Sequence, residues 1–289
     1  MAGHMNLEVQ AYLRRIGLAS PPSRDATGLE ALLRAHRQSI GFENFDVMLG
    51  RGVDLAPAAI FDKLVTRRRG GYCFEQNGLF GAMLEALGFP NRALMGRVWL
   101  GAEPDATPMR GHTLRLVELG GEAWIADAGF GGAYAPAMPL RDGAMAQSVD
   151  GAQHRLRLVG AMGDLDGQWL LERLGPLEAT DGRAQTAGDW SPQYSFDLAQ
   201  VAPIDLAIAN HWVSTKAGAR FTSLHIGSIA LPDGFVALTD RRLRLYVQGQ
   251  AQERELGDAA QWHEAVTQVL RLDFAQEDVA ALNLFQAGH

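Results

Sequence analysis

Arg67-Arg68-Arg69-Gly70-Gly71-Tyr72-Cys73-Phe74-Glu75-Gln76-Asn77 decides how this chain is read, because it holds the only cysteine of the protein. Two glycines stand just before that cysteine. An apolar row follows it, with Phe80, Met83, Leu84 and Leu87 at i, i+3, i+4 and i+7, one face of an α-helix. Gly88 and Pro90 read as its stop signal. The stretch predicts a glycine turn that delivers Cys73 to a helix N-terminus. Unpaired N–H groups and the helix dipole there favour a thiolate, the reactive form of cysteine. The competing expectation for a lone cysteine is a small buried apolar residue.

The bulk numbers set the frame. The chain has 289 residues, 47% of them hydrophobic and 20% charged, which is ordinary globular composition with ample length for a core. A net charge of −7 does not indicate a nucleic-acid-binding surface. One cysteine excludes an intramolecular disulfide and any cysteine-rich zinc site. No run of about 18 apolar residues predicts a membrane span, and the N-terminus has no signal-peptide apolar region. Met1-Ala2-Gly3-His4 before Met5 reads as a cloning remnant. These absences and the single thiol lead to the expectation of a cytoplasmic protein.

Upstream of the cysteine the pattern is helical. Residues 7–17, 28–39 and 57–65 carry helical apolar spacing, and Pro57 suits a first helical position. Between them, Phe42-Glu43-Asn44-Phe45-Asp46 sets carboxylates among aromatics. Glu43 and Asp46 are candidate partners for Arg69, a pairing that would hold the glycine turn in place.

Downstream the period changes to that of strands, over 93–100, 112–119, 123–128, 154–159 and 168–173. The pair 112–119 and 123–128, joined by Gly120-Gly121, is a hairpin signature. A two-residue turn there pairs residues whose numbers sum to 241, so Leu114 faces Asp127 and His112 faces Gly129. His112 and Asp127 become diagonal neighbours on one sheet face, roughly 7 Å or less apart at Cβ. That distance suits an imidazole–carboxylate hydrogen bond. A register slip of one residue would put them on opposite faces. Gly129-Phe130-Gly131-Gly132 follows, a loop able to bring backbone N–H groups close to a ligand. Further on, 203–212 reads as a helix. Residues 222–224, 226–231, 235–239 and 242–247 read as strands, and 258–270 as a helix with a short one after it.

Cysteine at a helix start, with histidine and aspartate on adjacent strands, has a chemical logic. The histidine takes the thiol proton, the aspartate fixes the imidazole tautomer, and the thiolate attacks an activated carbonyl. The N–H of Cys73 is a natural oxyanion donor. Taken alone, His112 could equally be a satisfied strand histidine and Asp127 a turn former. His36, His154, His211, His225 and His263 lack so direct a carboxylate.

Arg69-Gly70-Gly71-Tyr72-Cys73-Phe74-Glu75-Gln76-Asn77 closely resembles the nucleophile motif of the arylamine N-acetyltransferases. The resemblance continues through residues 42–51, His112-Thr113, Asp127-Ala128-Gly129-Phe130-Gly131, 136–140, 191–197 and Asn210-His211-Trp212-Val213-Ser214-Thr215, in family order. It weakens after about residue 231. The resemblance implies an α+β fold with a cysteine-protease/transglutaminase-like core: a helical part over 5–90, a β-barrel over 91–200 and an α/β lid over 201–289. It also implies ping-pong transfer of an acetyl group from acetyl-CoA, through an acetyl-cysteine, to arylamines, arylhydrazines or N-hydroxyarylamines. No metal and no permanently bound cofactor are implied. By position, Cys73 is the nucleophile, His112 the base and Asp127 its orienter. Tyr72 and Phe130 are expected in the acceptor wall, and Gly129, Phe130, His211, Trp212 and Ser214 in the CoA cleft. Partners are then acetyl-CoA and small aromatic amines, with a homo-oligomer open. Ala128 departs from the family, where valine is frequent. The rival readings are an amide synthase or cysteine hydrolase with the same triad, and a binding module that retains the fold.

Overall fold

The computed structural model describes residues 7–103, 105–184 and 188–285. The expected cloning remnant at 1–4 lies outside the described residues. Helices α1 (Leu7–Arg15) and α2 (Ala26–Ser39) open the chain, followed by strand β1 (Phe42–Glu43), a single turn α3 (Phe45–Met48) and α4 (Pro57–Phe61). The helix expected over 57–65 continues past Phe61 as a π turn, Asp62–Thr66. Then comes α5 (Cys73–Ala86), which begins on the cysteine. Its apolar row packs with Tyr12, Leu13, Leu29, Leu32 and Leu33 in one buried cluster. His36 lies inside this bundle, between the Tyr12 hydroxyl at 2.9 Å and Gln76 Oε1 at 2.7 Å. Burial lowers its pKa to about 3, which makes it a neutral structural group.

The middle of the chain is β2 (Asn91–Val98), β3 (His112–Leu119), β4 (Glu122–Ala126), β5 (Met138–Pro139), β6 (Met145–Gln147), β7 (Gln153–Leu158), β8 (Trp169–Leu174) and β9 (Ser191–Phe196). They form one antiparallel sheet in the order β5-β4-β3-β2-β9-β8-β7-β6. Its two edge strands are joined by residues 140–144 alone, a reach of about 20 Å at most. The sheet therefore curls into an almost closed barrel around Leu94, Leu114, Ile125, Met138, Leu156, Leu171 and Tyr194. The β3–β4 register runs from Arg115 opposite Ala126 to Leu119 opposite Glu122, the register that the Gly-Gly turn requires. Gly120 and Gly121 both have positive φ, 58° and 87°, the conformation of a tight primed turn.

The last part holds α6 (Pro203–Thr215), α7 (Arg220–Ser223), β10 (Ile226–Leu231), β11 (Gly234–Thr239), β12 (Arg242–Val247), β13 (Gln250–Glu255), α8 (Ala259–Glu264), which runs on as a π turn, and α9 (Gln276–Ala281). The strand expected over 222–224 is instead the end of a helical turn, closed by Leu224 N–H on the Arg220 carbonyl. β13 carries no signal in the sequence, because all six of its residues are exposed and no apolar alternation marks it. The sheet order is β1-β10-β11-β12-β13, so the segment beside the glycine turn supplies its first strand. Phe45, Trp262 and Phe274 fill the space beneath. The fold is α+β: helical bundle, barrel and α/β lid. Among the described residues no helix is long and apolar enough to cross a membrane.

Candidate active site

The glycine turn is held from two sides. Gly71 lies in a parallel bridge with Phe42, and its carbonyl accepts from Glu43 N–H at 3.1 Å. A Cβ on Gly70 would stand 2.2 Å from the Gly41 carbonyl oxygen, so the close approach of the two segments requires glycine there. Beneath the turn, Arg69 Nη2 donates to Glu43 Oε1 at 2.8 Å and Asp46 Oδ1 at 3.1 Å, the pairing expected from sequence. Lys63, which no motif pointed to, joins them with Nζ at 2.8 Å from both Asp46 and Glu75. The five side chains are all buried. Glu75 also accepts the Tyr72 N–H at 3.0 Å, capping α5 at its start. Burial raises the Glu75 pKa, and Lys63 opposes that rise.

Cys73 is thus the first residue of α5, and only 3% exposed. Its own N–H lies among those that an α-helix leaves without an intrahelical carbonyl. Sγ lies 3.9 Å from the Gly111 carbonyl and within hydrogen-bond reach of His112. His112 opens β3, and its Nε2 stands 2.6 Å from Asp127 Oδ2. Nε2 being taken, Nδ1 is the nitrogen left for the sulfur. Burial alone would lower the His112 pKa. The Asp127 carboxylate and the sulfur outweigh it and bring the value to about 10. Burial likewise works against the Asp127 carboxylate, but the imidazole, Asn77 and the Gly129 N–H hold its pKa below the usual value.

Asp127 is fixed from α5 itself. Asn77 stands four residues after Cys73, on the same helix face. Its Nδ2 donates to Asp127 Oδ1 at 2.9 Å and to the Thr113 carbonyl at 2.6 Å, and its Oδ1 accepts the Ala128 N–H at 3.0 Å. Cys73 and the Asp127 carboxylate are therefore indexed to one helix. From the other side Arg37, fully buried, donates to the carbonyls of Phe130 at 2.9 Å and Ala128 at 3.4 Å. Tyr194, also buried, directs its hydroxyl at Asp127 and its ring at His112, 5.0 Å between centroids. Asn77 and Tyr194 lie inside motifs quoted above without a role, while Arg37 sits on an apolar helix face where charge is unexpected.

A cavity of about 230 Å³ opens over Cys73 and His112. Gly129 and Phe130 form part of its wall, with Phe42, Met109, Phe221 and Trp212. Of the other expected contacts, His211 is exposed on α6 and does not line this cavity. Ser214 turns back to the Asn210 carbonyl at 2.7 Å. Tyr72 lies behind the cavity, fully buried, with its hydroxyl on Asn210 Oδ1. The arrangement can deprotonate a thiol beside an apolar, partly enclosed space, which is the chemistry of acyl transfer through cysteine.

A family model described as N-acetyltransferase matches residues 25–279. The chain is 34% identical over 284 residues to the arylamine N-acetyltransferase of Mycolicibacterium smegmatis, covering 96% of this chain and 97% of that one. The solved structure of arylamine N-acetyltransferase from Salmonella typhimurium superposes with a TM-score of 0.86 at 31% identity, covering 96% of this chain and 98% of that one. The Mycobacterium marinum arylamine N-acetyltransferase in complex with CoA superposes with a TM-score of 0.83 at 30% identity, covering 95% and 98%. The chain belongs to the arylamine N-acetyltransferase family and is an acyltransferase.

Proposed function

We propose that this enzyme carries an acetyl group from acetyl-CoA to arylamines, arylhydrazines or N-hydroxyarylamines by a ping-pong mechanism, with Cys73, His112 and Asp127 as the catalytic groups. The observation that carries the reading is the bond of His112 Nε2 to Asp127, which leaves Nδ1 as the free ring nitrogen in an apolar cavity that Cys73 also lines. In the first half-reaction His112 takes the Cys73 proton and Sγ attacks the thioester carbonyl. The Cys73 N–H at the start of α5 receives the oxyanion. The bond to the CoA sulfur breaks, and the departing thiolate takes the proton from His112. In the second, the acceptor nitrogen attacks the acetyl-cysteine carbonyl, His112 takes the proton released from nitrogen, and Cys73 leaves. An aromatic amine suits this step because it is weakly basic and stays neutral near pH 7. Phe130, edge-on to His112 at 5.5 Å between centroids, gives its ring a surface to pack on. The helical part (5–90) brings the nucleophile, the barrel (91–200) the base and its orienter, and the lid (201–289) the roof.

Initial rates test the mechanism. Varying acetyl-CoA at several fixed arylamine concentrations should give parallel double-reciprocal lines. Intersecting lines would mean that both substrates must be bound together and would remove the acetyl-cysteine from the pathway.

A further inference from the structure

Among the described residues Arg37 is the most enclosed arginine, 0% exposed, on the face of α2 that meets the loop after β4. Its guanidinium donates to the carbonyls of Phe130 and Ala128, and its Nε has no hydrogen-bond partner there. Arg69 and Arg173, also buried, each touch a carboxylate, at 2.8 Å and 2.9 Å. Arg37 touches none among the described residues. A guanidinium stays charged when buried, and a buried charge without a counter-charge is costly.

The groups around Arg37 leave one counter-charge. His36, beside it on α2, is neutral and held by Tyr12 and Gln76. Arg15, on α1, is bound to the carbonyls of Leu64 and Ser39. Burial keeps Tyr134 a neutral phenol, and its hydroxyl donates to Glu30 at 2.7 Å. Glu30 itself is occupied by that hydroxyl, by the Ala137 N–H at 2.8 Å and by Arg34 at 3.4 Å. What remains is Asp127, at the head of the loop that Arg37 grips. Burial works to lower the Arg37 pKa, and the Asp127 carboxylate is the charge that opposes it most.

Seen from Asp127 the need is the same. Around the Asp127–His112 pair stand Cys73 and Asn77 from α5 and Tyr194 from β9, a phenol that burial keeps neutral. Whether the shared proton sits on sulfur or on imidazole, Cys73 and His112 together carry no net charge. The buried carboxylate is then balanced by Arg37. Helix α2 also grips the loop twice, with Arg37 at its start and Glu30 at Tyr134 and Ala137.

We infer that Arg37 is a positioning residue, the fixed counter-charge that keeps Asp127 ionised and its loop in place while the proton passes from Cys73 to His112. The inference rests on the catalytic groups proposed above. Loss of a fixed positive charge raises the pKa of every group beside it, carboxyl, thiol and imidazolium alike, because each becomes more positive when it gains a proton.

The test reads alkylation of Cys73 by iodoacetamide against pH in the wild type, Arg37→Gln and Arg37→Lys. Gln keeps an N–H donor without the charge; Lys keeps the charge. In Arg37→Gln the acid limb of the profile should move up by about one pH unit or more. In Arg37→Lys it should stay nearer the wild-type limb than the Gln limb. A folded Arg37→Gln whose limb stays in place, with only the rate lowered, would overturn the inference, because a merely structural arginine predicts that result. So would a Lys limb displaced as far as the Gln limb. Urea unfolding gives a second reading. The losses from Arg37→Gln and Asp127→Asn should not add in the double variant, which buries neither charge. If Arg37→Gln alone does not fold, the double variant should. Additive losses, or a double variant that also fails to fold, would overturn the inference. Failure of the proposed function looks different: the wild type would take no acetyl group from acetyl-CoA, whatever its alkylation profile.

Discussion

Asp127→Asn is the substitution that asks most of the site geometry. Two donors, Asn77 Nδ2 and Gly129 N–H, converge on Asp127 Oδ1 at 2.9 Å each. In the variant they hold the new amide oxygen at that place. The amide nitrogen must then occupy the Oδ2 position, 2.6 Å from His112 Nε2, where it donates. Nε2 is forced to accept, so the ring proton moves to Nδ1 and points at the sulfur. His112 can no longer take the thiol proton. The charge effect acts in the same direction. The His112 pKa stands at about 10 against an ordinary 6.5, a difference on the order of 5 kcal/mol at about 1.4 kcal/mol per unit. Removing the carboxylate leaves burial to set the balance, and burial favours the neutral ring. Acylation should fall by at least about a thousandfold at pH 7. Rapid-quench mass measurement of acetyl-enzyme formation reads this rate, and alkylation by iodoacetamide should slow alongside it. Both should recover as the pH rises and the thiol ionises without help. The exchange is isosteric, so the melting curve separates this effect from unfolding. A variant that acylates within about tenfold of the wild type would refute the reasoning.

Other perturbations probe the supports of the site. Gly129→Ala places a Cβ 2.6 Å from Cys73 Cα and 2.9 Å from the Cys73 carbonyl oxygen, backbone that cannot swing aside. It should cost about 1–3 kcal/mol in urea unfolding and slow acylation at least about tenfold; wild-type values for both would contradict the packing described. Arg69→Met leaves Glu43 and Asp46 buried, with Lys63 beside both and Arg51 3.8 Å from Asp46 as the remaining cations. A loss of about 3–5 kcal/mol in the same assay is expected, and one below about 1 kcal/mol would show the cluster to be dispensable. The pH dependence of stability follows from His112, whose pKa is raised on folding. Its contribution is fully present below about pH 6.5 and is lost as the pH climbs through about 10. The wild type should therefore lose more melting temperature between pH 7 and 10 than His112→Gln does; parallel curves would speak against the paired imidazole.

How much of this was legible in the sequence depended on whether local chemistry alone fixed the outcome. The hairpin was legible because a two-residue glycine turn admits one register, and that register brings His112 to Asp127. The helix start at Cys73 was legible from the glycines and the apolar row after it. β13 was not, because a strand exposed along its whole length has no reason to alternate. The helical turn at Arg220–Ser223, which overlaps the strand expected over 222–224, is illegible because four residues show no period. Within the site, Glu43 and Asp46 could be matched to Arg69 by charge. Lys63 sat in an ordinary amphipathic helix, and only tertiary contact reveals that its amine is buried among three carboxylates. Arg37 is the same case: two carbonyls of a loop ninety residues away in sequence hold a charge on a helix face that faces the core. Tyr72 shows the converse. An aromatic beside Cys73 suggests a cavity wall, but its hydroxyl finds Asn210 on α6 and turns the ring inward.

The central claim is that Cys73 carries the acetyl group between donor and acceptor. The most direct measurement is the intact mass of the protein mixed with acetyl-CoA in the absence of any acceptor. The account predicts a gain of one acetyl group per chain, mapped by peptide analysis to Cys73 and discharged when an arylamine is added. No gain in mass, or a gain mapped elsewhere with Cys73 left free, would contradict it.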